Sequence, residues 1–382
     1  MAEITPFRID IPQADLDDLQ DRLARTRFAG ELPEDQVTDG TPQGPIPPGW
    51  EQGVPVSYVR ALVEYWRDGF DWRAQEAWLN GFPQFVTEID GLEVHFVHVR
   101  SPEPGATPLV LTHGWPNSFV EYLDLVGPLT DPAAHGGDPA DAFHVVIPSL
   151  PGFTFTGPPK EKGWDAERTA RAWAELMRRL GYPRYGAHGN DAGAVLAPFI
   201  GRVDPTHVIG LHVNQIFSFP TGDPVEFEGL TRAEFEYLDF LQGFVEHAIH
   251  DRVQQAQPQT VAHALSDSPA GQVAWSGQLL GDVASPDVIL TNVALYWFTN
   301  TSASSGRWYY DNHHARQPLE PTTVPIGLAS FAFDFRPIRR FAERDHKNIV
   351  HWNQYDRGSH WAAHDAPDLL VKDIREFFAL LR

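Results

Sequence analysis

The sequence predicts an α/β protein in which a mostly parallel sheet carries helices on both faces. Two observations predict it: short apolar strands alternate with helical patterns over residues 84–216, and the same alternation resumes over residues 323–382. Strands joined through helices form right-handed βαβ units, which build a parallel sheet covered on both faces. The intervening residues 217–322 are helical and aromatic in pattern. We therefore expect a helical insertion above the carboxyl ends of the strands, where ligands bind.

Residues 1–83 are predicted to form a helical and irregular region that packs on the rest of the chain. Residues 12–28 have the leucine spacing of an amphipathic helix, and a helix pair is predicted around Tyr58–Trp66 and Trp72–Leu79. Residues 30–55 hold too many prolines and glycines for regular structure, so we expect a strap. The helix pair carries more aromatic surface than it can cover alone, which predicts contact with the main body.

The core elements follow from apolar runs, turn signals and helix caps. Asp90-Gly91 between two apolar runs is a strong hairpin signal. The predicted strands are 84–89, 92–99, 108–113, 143–150, 184–189, 208–214, 324–331 and 348–355. The predicted helices of the core are 119–129, 165–180, 193–203, 337–344 and 367–381. The predicted domains are therefore 1–83, a first core part 84–216, a cap 217–322 and a second core part 323–382.

Composition excludes several classes of function. The chain has 382 residues, no cysteine, and 29 basic against 51 acidic residues, so its formal net charge is −22 at pH 7. The lack of cysteine excludes thiolate nucleophiles, disulfides and cysteine-ligated metals, and so acidic a surface repels nucleic acid and anionic lipid. No secretory pattern or membrane-spanning apolar run is present. We expect a soluble cytoplasmic protein without metal, cofactor, nucleic-acid or membrane partner; its assembly stays open, a homodimer being one option.

Gly189-Asn190-Asp191-Ala192-Gly193 lies between a predicted strand and a predicted helix. Small residues two positions before and after the central one permit the tight turn called a nucleophile elbow, which would raise Asp191 above the sheet. On spacing alone, a solvated aspartate at a helix N-terminus is the simpler interpretation. The strand–turn–helix context and two further strand ends favour a nucleophile.

Those two strand ends supply the remaining groups that such a nucleophile needs. His113-Gly114-Trp115-Pro116 follows a strand, and although an ordinary turn would explain it, the backbone N–H groups of Trp115 and Ala192 could hold a developing oxyanion. Asp334 and His360 follow the last two predicted strands, in the chain order nucleophile, acid, histidine. Asp334 would orient His360 and stabilise its imidazolium form.

An aspartate nucleophile predicts attack on an electrophilic sp³ carbon and an alkyl-ester intermediate. His360 would then deprotonate the water that attacks the Asp191 carbonyl carbon. If the leaving group is an epoxide oxygen, it needs an acid, and a tyrosine has a proton to give at pH 7. Tyr309 and Tyr310, late in the insertion, are the candidates, although an aromatic side chain that covers the core is an equal alternative for each.

Several motifs together resemble the microsomal-type epoxide hydrolases over essentially the whole chain. They are residues 65–67, 70–72, 91–96, 113–116, 148–153, 264–269, 290–293 and 358–360. The resemblance implies an α/β-hydrolase fold with a helical cap and an N-terminal meander. It implies Asp191 as nucleophile, His360 as base and Asp334 as orienting acid. It also implies Tyr309 as one of two cap tyrosines and a cis peptide bond at Trp115-Pro116.

The chain departs from the family pattern at three places. Its acid is an aspartate where the best-known members have glutamate, and Ala192 replaces a bulky aromatic residue, which should open space in the pocket. The first cap tyrosine of the family aligns at or next to His250, and no tyrosine lies between Tyr237 and Tyr296. Either His250 donates the second hydrogen bond, or Tyr309 acts alone, or a tyrosine elsewhere reaches in.

The predicted function is the opening of an apolar epoxide, for instance an aryl epoxide, to a vicinal diol. We expect Tyr309 to be the indispensable acid and His250 or Asp251 to tune which carbon is attacked. The predicted substrate pocket contains Trp115, Pro116, His250, Asp251 and Trp308. One alternative is a haloalkane dehalogenase with the same ester intermediate, although Ala192 supplies no side-chain donor for a halide. Others are a non-catalytic relative that binds a ligand or partner through its cap, and an esterase, which the missing serine disfavours.

Overall fold

One sheet organises the part of the chain described by the computed structural model, which comprises residues 3–32, 49–281, 283–316, 318 and 320–382. Within these residues the sheet has nine strands in the order β1-β2-β3-β5-β4-β6-β7-β8-β9. The strands are β1 (Thr5–Phe7), β2 (Gln84–Ile89), β3 (Leu92–Val99), β4 (Thr107–Thr112), β5 (Phe143–Pro148), β6 (Tyr185–Gly189), β7 (Val208–Val213), β8 (Ile326–Ser330) and β9 (Ile349–Gln354). Six neighbouring strands pair in parallel, in the order β5, β4, β6, β7, β8 and β9. Strands β1, β2 and β3 pair antiparallel, and β3 joins β5 antiparallel as well.

Helices accompany this sheet and make up most of the remaining chain. The α-helices are α1 (Gln13–Ala24), α2 (Val56–Asp68), α3 (Trp72–Leu79), α4 (Leu123–Thr130), α5 (Ala166–Arg179), α6 (Ala192–Val203), α7 (Arg232–His247), α8 (Ile249–Ala256), α9 (Pro258–Leu265), α10 (Pro269–Gln272), α11 (Pro286–Thr299), α12 (Ser302–His314), α13 (Arg339–Asp345), α14 (Ala362–Asp365) and α15 (Pro367–Ala379). Among the residues described, no helix is both long and apolar enough to cross a membrane.

The chain divides into two compact units. The larger unit comprises the described residues of Met1–Ile9, Glu76–Phe219 and Asp311–Arg382, and it contains the whole sheet. The smaller unit comprises those of Asp10–Gln75 and Pro220–Tyr310. Compact units are not the same as domains, so the domain limits predicted at residues 83, 216 and 322 stay predictions.

Within the smaller unit, the N-terminal helices pack on the helices of the insertion. The Tyr65 hydroxyl donates a hydrogen bond of 2.7 Å to the Asp287 carboxylate at the start of α11. The rings of Trp72 and Phe298 lie 4.8 Å apart between their centroids. Insertion residues thus contact aromatic side chains of the predicted helix pair; Trp66 and Trp72 are buried, whereas Tyr65 and Trp78 stay partly exposed.

The predicted elements agree best where a local signal is strong. The hairpin strands β2 and β3 have the predicted limits, and Asp90 and Gly91 adopt φ values of 52° and 74°, which the tight hairpin turn needs. The short strand β1 was not predicted, because three residues carry no alternating pattern. The predicted helix 119–129 instead begins as a 3-10 turn before α4. The predicted helix 12–28 is shorter, since α1 ends at Ala24. Residues 33–48 of the predicted strap lie outside the described residues.

The turn from β6 to α6 requires glycine on both sides of Asp191. A Cβ atom at Gly193 would lie 1.9 Å from the Thr112 carbonyl oxygen, and one at Gly189 would lie 2.1 Å from the Gly193 carbonyl oxygen. Asp191 itself has φ 52° and ψ −116°, a conformation that L-residues rarely adopt. Such a residue costs about 1–3 kcal/mol and persists only where the surroundings hold it.

Gly193→Ala should therefore lower the free energy of unfolding by about 1–3 kcal/mol, because the backbone must move away from Thr112. Urea unfolding of the purified protein measures this. The control is Gly243→Ala in α7, where an added Cβ has no atom within 4 Å and alanine favours the helix by roughly 0.5–1 kcal/mol. Equal unfolding free energies for the two variants would contradict the close-approach explanation.

Candidate active site

Three side chains meet beyond the carboxyl ends of the parallel strands. Asp191 follows β6, Asp334 follows β8 and His360 follows β9, so the strand ends bring them to one edge of the sheet. The Nε2 atom of His360 lies 3.3 Å from Asp191 Oδ2, and its Nδ1 atom lies 2.7 Å from Asp334 Oδ1. The three side chains therefore form a connected series of carboxylate, imidazole and carboxylate.

The two ends of this series differ in exposure. The side chains of Asp191 and His360 keep 21% and 22% of their surface exposed, whereas that of Asp334 keeps 1%. The Trp361 ring lies edge-on to the His360 ring, with centroids 4.7 Å apart, and the Phe335 ring lies 5.9 Å away. A small molecule can reach Asp191 and His360, while Asp334 can act only through the imidazole.

Charge and burial shift the pKa values of Asp191 and His360 in opposite directions, and the effect of charge is the larger. Burial alone would lower the pKa of His360, but the carboxylates of Asp334 and Asp191 raise that pKa well above its ordinary value. Burial would raise the pKa of Asp191, but the hydrogen bond and charge of His360 and the Trp115 and Ala192 N–H groups hold it below its ordinary value. Both shifts favour an Asp191 carboxylate paired with a His360 imidazolium.

Two backbone N–H groups point at the Asp191 carboxylate. The N–H group of Trp115 donates a 2.9 Å hydrogen bond to Asp191 Oδ1, and the N–H group of Ala192 donates to the same carboxylate. The Trp115-Pro116 peptide bond is cis, as the resemblance implies. Gly114 allows this approach, since a Cβ atom there would lie 2.3 Å from Asp191 Cβ. The Trp115 N–H thus faces an oxygen on which negative charge can develop, and the Ala192 N–H adds to the stabilisation of negative charge on this carboxylate.

Beneath this series lie three buried polar side chains that the sequence analysis did not identify. Glu121 accepts hydrogen bonds from the Gly114 N–H at 3.1 Å and from Asn190 Nδ2 at 2.9 Å. Gln215 donates to Asn190 Oδ1 at 2.7 Å and accepts from the Asp191 N–H at 2.9 Å. No local signal pointed to these residues, since Glu121 lies within the predicted helix 119–129 and Gln215 lies just after the predicted strand 208–214.

Glu121 has an unusual ionisation. Burial is the largest influence on it and raises its pKa from 4.5 to about 8, although the hydrogen bonds from Gly114 and Asn190 act in the opposite direction. This carboxyl group joins the turn that carries Trp115 to the turn that carries Asp191. Its protonation state therefore bears on the stability of both turns.

The remaining predicted site residues lie in the smaller compact unit. Tyr309 and the buried Trp308 are on α12, and His250 and Asp251 are on α8. Their predicted approach to Asp191 stays a prediction. The neighbouring Tyr310 is 40% exposed. In the described part of the chain, no group of three or more histidine and acidic side chains is arranged to hold a metal ion.

Glu121 predicts a pH dependence of stability with a definite sign. Because its pKa is higher in the folded chain than the ordinary 4.5, its contribution is fully present below about pH 4.5 and is lost as pH rises through about 8. The free energy of unfolding of the wild type should therefore fall relative to that of Glu121→Gln between about pH 5.5 and about pH 9. Urea unfolding across this range measures the difference.

The control for this measurement is Glu175→Gln on α5. The hydrogen bond from Arg178 is the first cause that lowers the pKa of Glu175 to about 2, so this residue stays ionised over the same range. Its difference from the wild type should be constant with pH. A constant difference for Glu121→Gln as well would contradict the raised pKa.

Comparison with known proteins places this chain in a family. The profile described as "Epoxide hydrolase N terminus" matches residues 4–122. A Stigmatella aurantiaca protein assigned to the epoxide hydrolases is 42% identical over 99% of this chain and 86% of its own length. Epoxide hydrolase 1 of Oryctolagus cuniculus is 30% identical over 99% of this chain and 89% of its own length.

Solved structures agree with these relatives. The Aspergillus niger epoxide hydrolase aligns with a TM-score of 0.85 and 30% identity, covering all of this chain and 97% of that one. The Bombyx mori juvenile hormone epoxide hydrolase aligns with a TM-score of 0.88 at 23% identity, which supports the fold. The predicted α/β-hydrolase fold is thereby confirmed, as is the prediction of a hydrolase. With identities of 30% and 42% over nearly its full length, the chain belongs to the epoxide hydrolase family.

Proposed function

We propose that this epoxide hydrolase opens an apolar epoxide to a vicinal diol in two steps, through a covalent ester on Asp191. The observation that carries the proposal is the arrangement around that carboxylate. His360 Nε2 lies 3.3 Å from one oxygen, and the Trp115 N–H lies 2.9 Å from the other. The proposed nucleophile Asp191 is thus in contact with both a base and an oxyanion donor.

In the first step the Asp191 carboxylate attacks one epoxide carbon. The new bond joins an Asp191 oxygen to that carbon, and the bond between the carbon and the epoxide oxygen breaks. The lowered pKa of Asp191 keeps it ionised and ready for this step. The released alkoxide takes a proton from an acid, a role that we assign to Tyr309.

Before the second step, His360 loses one of the two negative charges that raise its pKa. An ester at Asp191 carries no negative charge, so the contribution of that carboxylate to the raised pKa of His360 disappears while burial continues to lower the pKa. The imidazolium then gives up its proton, which passes through solvent to the Tyr309 phenolate left by the first step, and the neutral imidazole becomes a base for water. Ester formation itself would therefore prepare His360 for the next step.

The activated water attacks the carbonyl carbon of the ester. The oxyanion that forms is stabilised by the N–H groups of Trp115 and Ala192, each such donor contributing about 2.7–4 kcal/mol when measured by deletion. The tetrahedral intermediate collapses, and the diol oxygen leaves with the proton that His360 took from water. Asp191 keeps one oxygen from water, and its carboxylic acid passes its proton to His360, which restores the starting ion pair. Asp334 orients His360 throughout.

The acid and the substrate pocket are proposed from the smaller unit. The helix α12 carries Tyr309, and its residues from Asp311 onward belong to the larger unit. Asp311 accepts from the Gly163 N–H at 3.1 Å, and Asn312 accepts from the Ala166 N–H at 2.8 Å. These contacts lie within the larger unit and hold the part of α12 that follows Tyr310.

We also propose that the substrate pocket contains Trp115, Pro116, His250, Asp251 and Trp308. His250 or Asp251 would then tune which epoxide carbon is attacked. Ala192 next to the nucleophile leaves room for a bulky apolar substituent. The same small side chain offers no halide donor, which disfavours a dehalogenase.

The ester route predicts where oxygen from water is found. After one turnover on an aryl epoxide in ¹⁸O-water with enzyme in excess, mass analysis should find label in the Asp191 peptide, because water attacks the enzyme's carbonyl carbon.

His360→Gln should accumulate the alkyl-enzyme and slow turnover by about 10²–10⁴-fold, the usual contribution of a general base. Asp191→Asn is the control and should form no adduct. Label found only in the diol would rule out the ester.

Tyr309→Phe should slow formation of the alkyl-enzyme by about 10²–10⁴-fold, because the alkoxide loses its proton donor. Rapid-quench measurement of single-turnover alkylation tests this. The matched control is Tyr310→Phe, the adjacent and more exposed tyrosine, which should react within about twofold of the wild type. An unchanged alkylation rate in Tyr309→Phe would remove Tyr309 from the mechanism.

A further inference from the structure

Gln215 occupies the point where the parts of the site meet. It lies two residues beyond the end of β7, with its side chain fully buried. Its Oε1 atom accepts the backbone N–H of Asp191 at 2.9 Å, and its Nε2 atom donates to Asn190 Oδ1 at 2.7 Å. The same Nε2 atom also donates to Asp334 Oδ2. One amide therefore contacts both the nucleophile's backbone and the orienting acid.

The hydrogen-bonding chemistry allows the amide only one orientation. The Nε2 atom has two hydrogens, and the oxygens of Asn190 and Asp334 accept them. His360 Nδ1 also lies 3.5 Å from this nitrogen, but its closer partner is Asp334 Oδ1 at 2.7 Å. The Oε1 atom is an acceptor, and the Asp191 N–H faces it. Rotation of the amide by 180° would set donor against donor and acceptor against acceptor, which is costly for a buried group. The side chain is thus held as a rigid bridge.

The bridge completes the surroundings of the Asp334 carboxylate. Oδ1 of Asp334 accepts from the Phe335 N–H at 2.7 Å and contacts His360 Nδ1 at 2.7 Å. Its Oδ2 atom is the one that Gln215 binds. A buried carboxylate is fixed in direction only when both oxygens have partners, and that direction sets where the imidazole points.

We propose that Gln215 is a positioning residue that fixes Asp334, and through it His360, relative to the strained Asp191 backbone. This inference rests on the proposed two-step mechanism. Formation of the ester needs an ionised Asp191 on a correctly held elbow. Hydrolysis needs, in addition, an imidazole aimed at the water, so loss of the contact with Asp334 should affect hydrolysis more than alkylation.

Two substitutions separate the two ends of the bridge. Gln215→Glu keeps an oxygen for the Asp191 N–H but replaces the donor that faces Asp334. Alkylation should stay within about threefold of the wild type, while hydrolysis of the alkyl-enzyme should slow by about 10- to 100-fold at pH 8, as expected for loss of a hydrogen bond to a charged group. Gln215→Met removes both ends and should slow both steps. Rapid-quench kinetics on an aryl epoxide measures them.

The pH profile of Gln215→Glu distinguishes positioning from a purely structural role. The new carboxyl group of this variant, when protonated, can donate to Asp334 as the amide does, whereas its ionised form repels Asp334. The hydrolysis rate of the variant, divided by that of the wild type, should therefore fall as pH rises. A ratio that stays constant with pH would overturn the proposal.

The structural control is Gln84→Met, which removes a buried, hydrogen-bonded glutamine of the same unit and should leave both steps unchanged.

A third measurement needs no substrate. In ¹⁵N-histidine-labelled protein, with His360→Gln to assign the signal, the His360 imidazole of Gln215→Met should titrate at a lower pH than in the wild type. The reason is that Asp334, once released by the amide, no longer holds its charge against Nδ1 of the imidazole. Unchanged titration would overturn the proposal even if the enzyme opens epoxides. Shifted titration in a protein that forms no alkyl-enzyme would support the role of Gln215 and contradict the ester mechanism instead.

Discussion

The arrangement of the site depends on how closely the turn after β6 approaches the end of β4. The backbone at Gly193 comes so near the Thr112 carbonyl group that no side chain fits between them. This approach places Asp191 directly opposite the turn after β4, where the Trp115 N–H can reach its carboxylate at 2.9 Å. Both turns leave adjacent, paired strands of the parallel sheet, so the pairing of β4 with β6 sets the distance between the two turns.

Buried charge is the second constraint, and it is met by hydrogen bonds. Asp191 and Asp334 contact one imidazole, and the buried carboxyl group of Glu121 lies between the two turns, so each of the three needs donors to offset the cost of leaving water. Backbone N–H groups serve the first, the amide of Gln215 serves the second, and Asn190 with a backbone N–H serves the third. The amide side chains can do this without adding charge.

The same arrangement explains how one histidine could serve two states of the proposed reaction. While Asp191 is ionised, His360 is held as its cationic partner. Once that charge is consumed in an ester, the imidazole keeps only Asp334 as a counter-ion and its tendency to hold a proton falls. The control of proton affinity by the neighbouring reactive group requires no movement of the backbone.

The sequence by itself determined the features that rest on local chemistry. Asp90-Gly91 predicted the hairpin because few residue pairs adopt positive φ readily, and Gly189 and Gly193 predicted the tight turn around Asp191 because only small residues fit there. Only the tertiary structure revealed the contact of Gln215 with Asp191 and Asp334, since these residues lie far apart in the chain and nothing in a local pattern couples them. Strand β1 was likewise decided by its pairing with β2. Local signals report the conformations that a segment prefers, whereas burial and hydrogen-bond partners arise only when distant strands assemble.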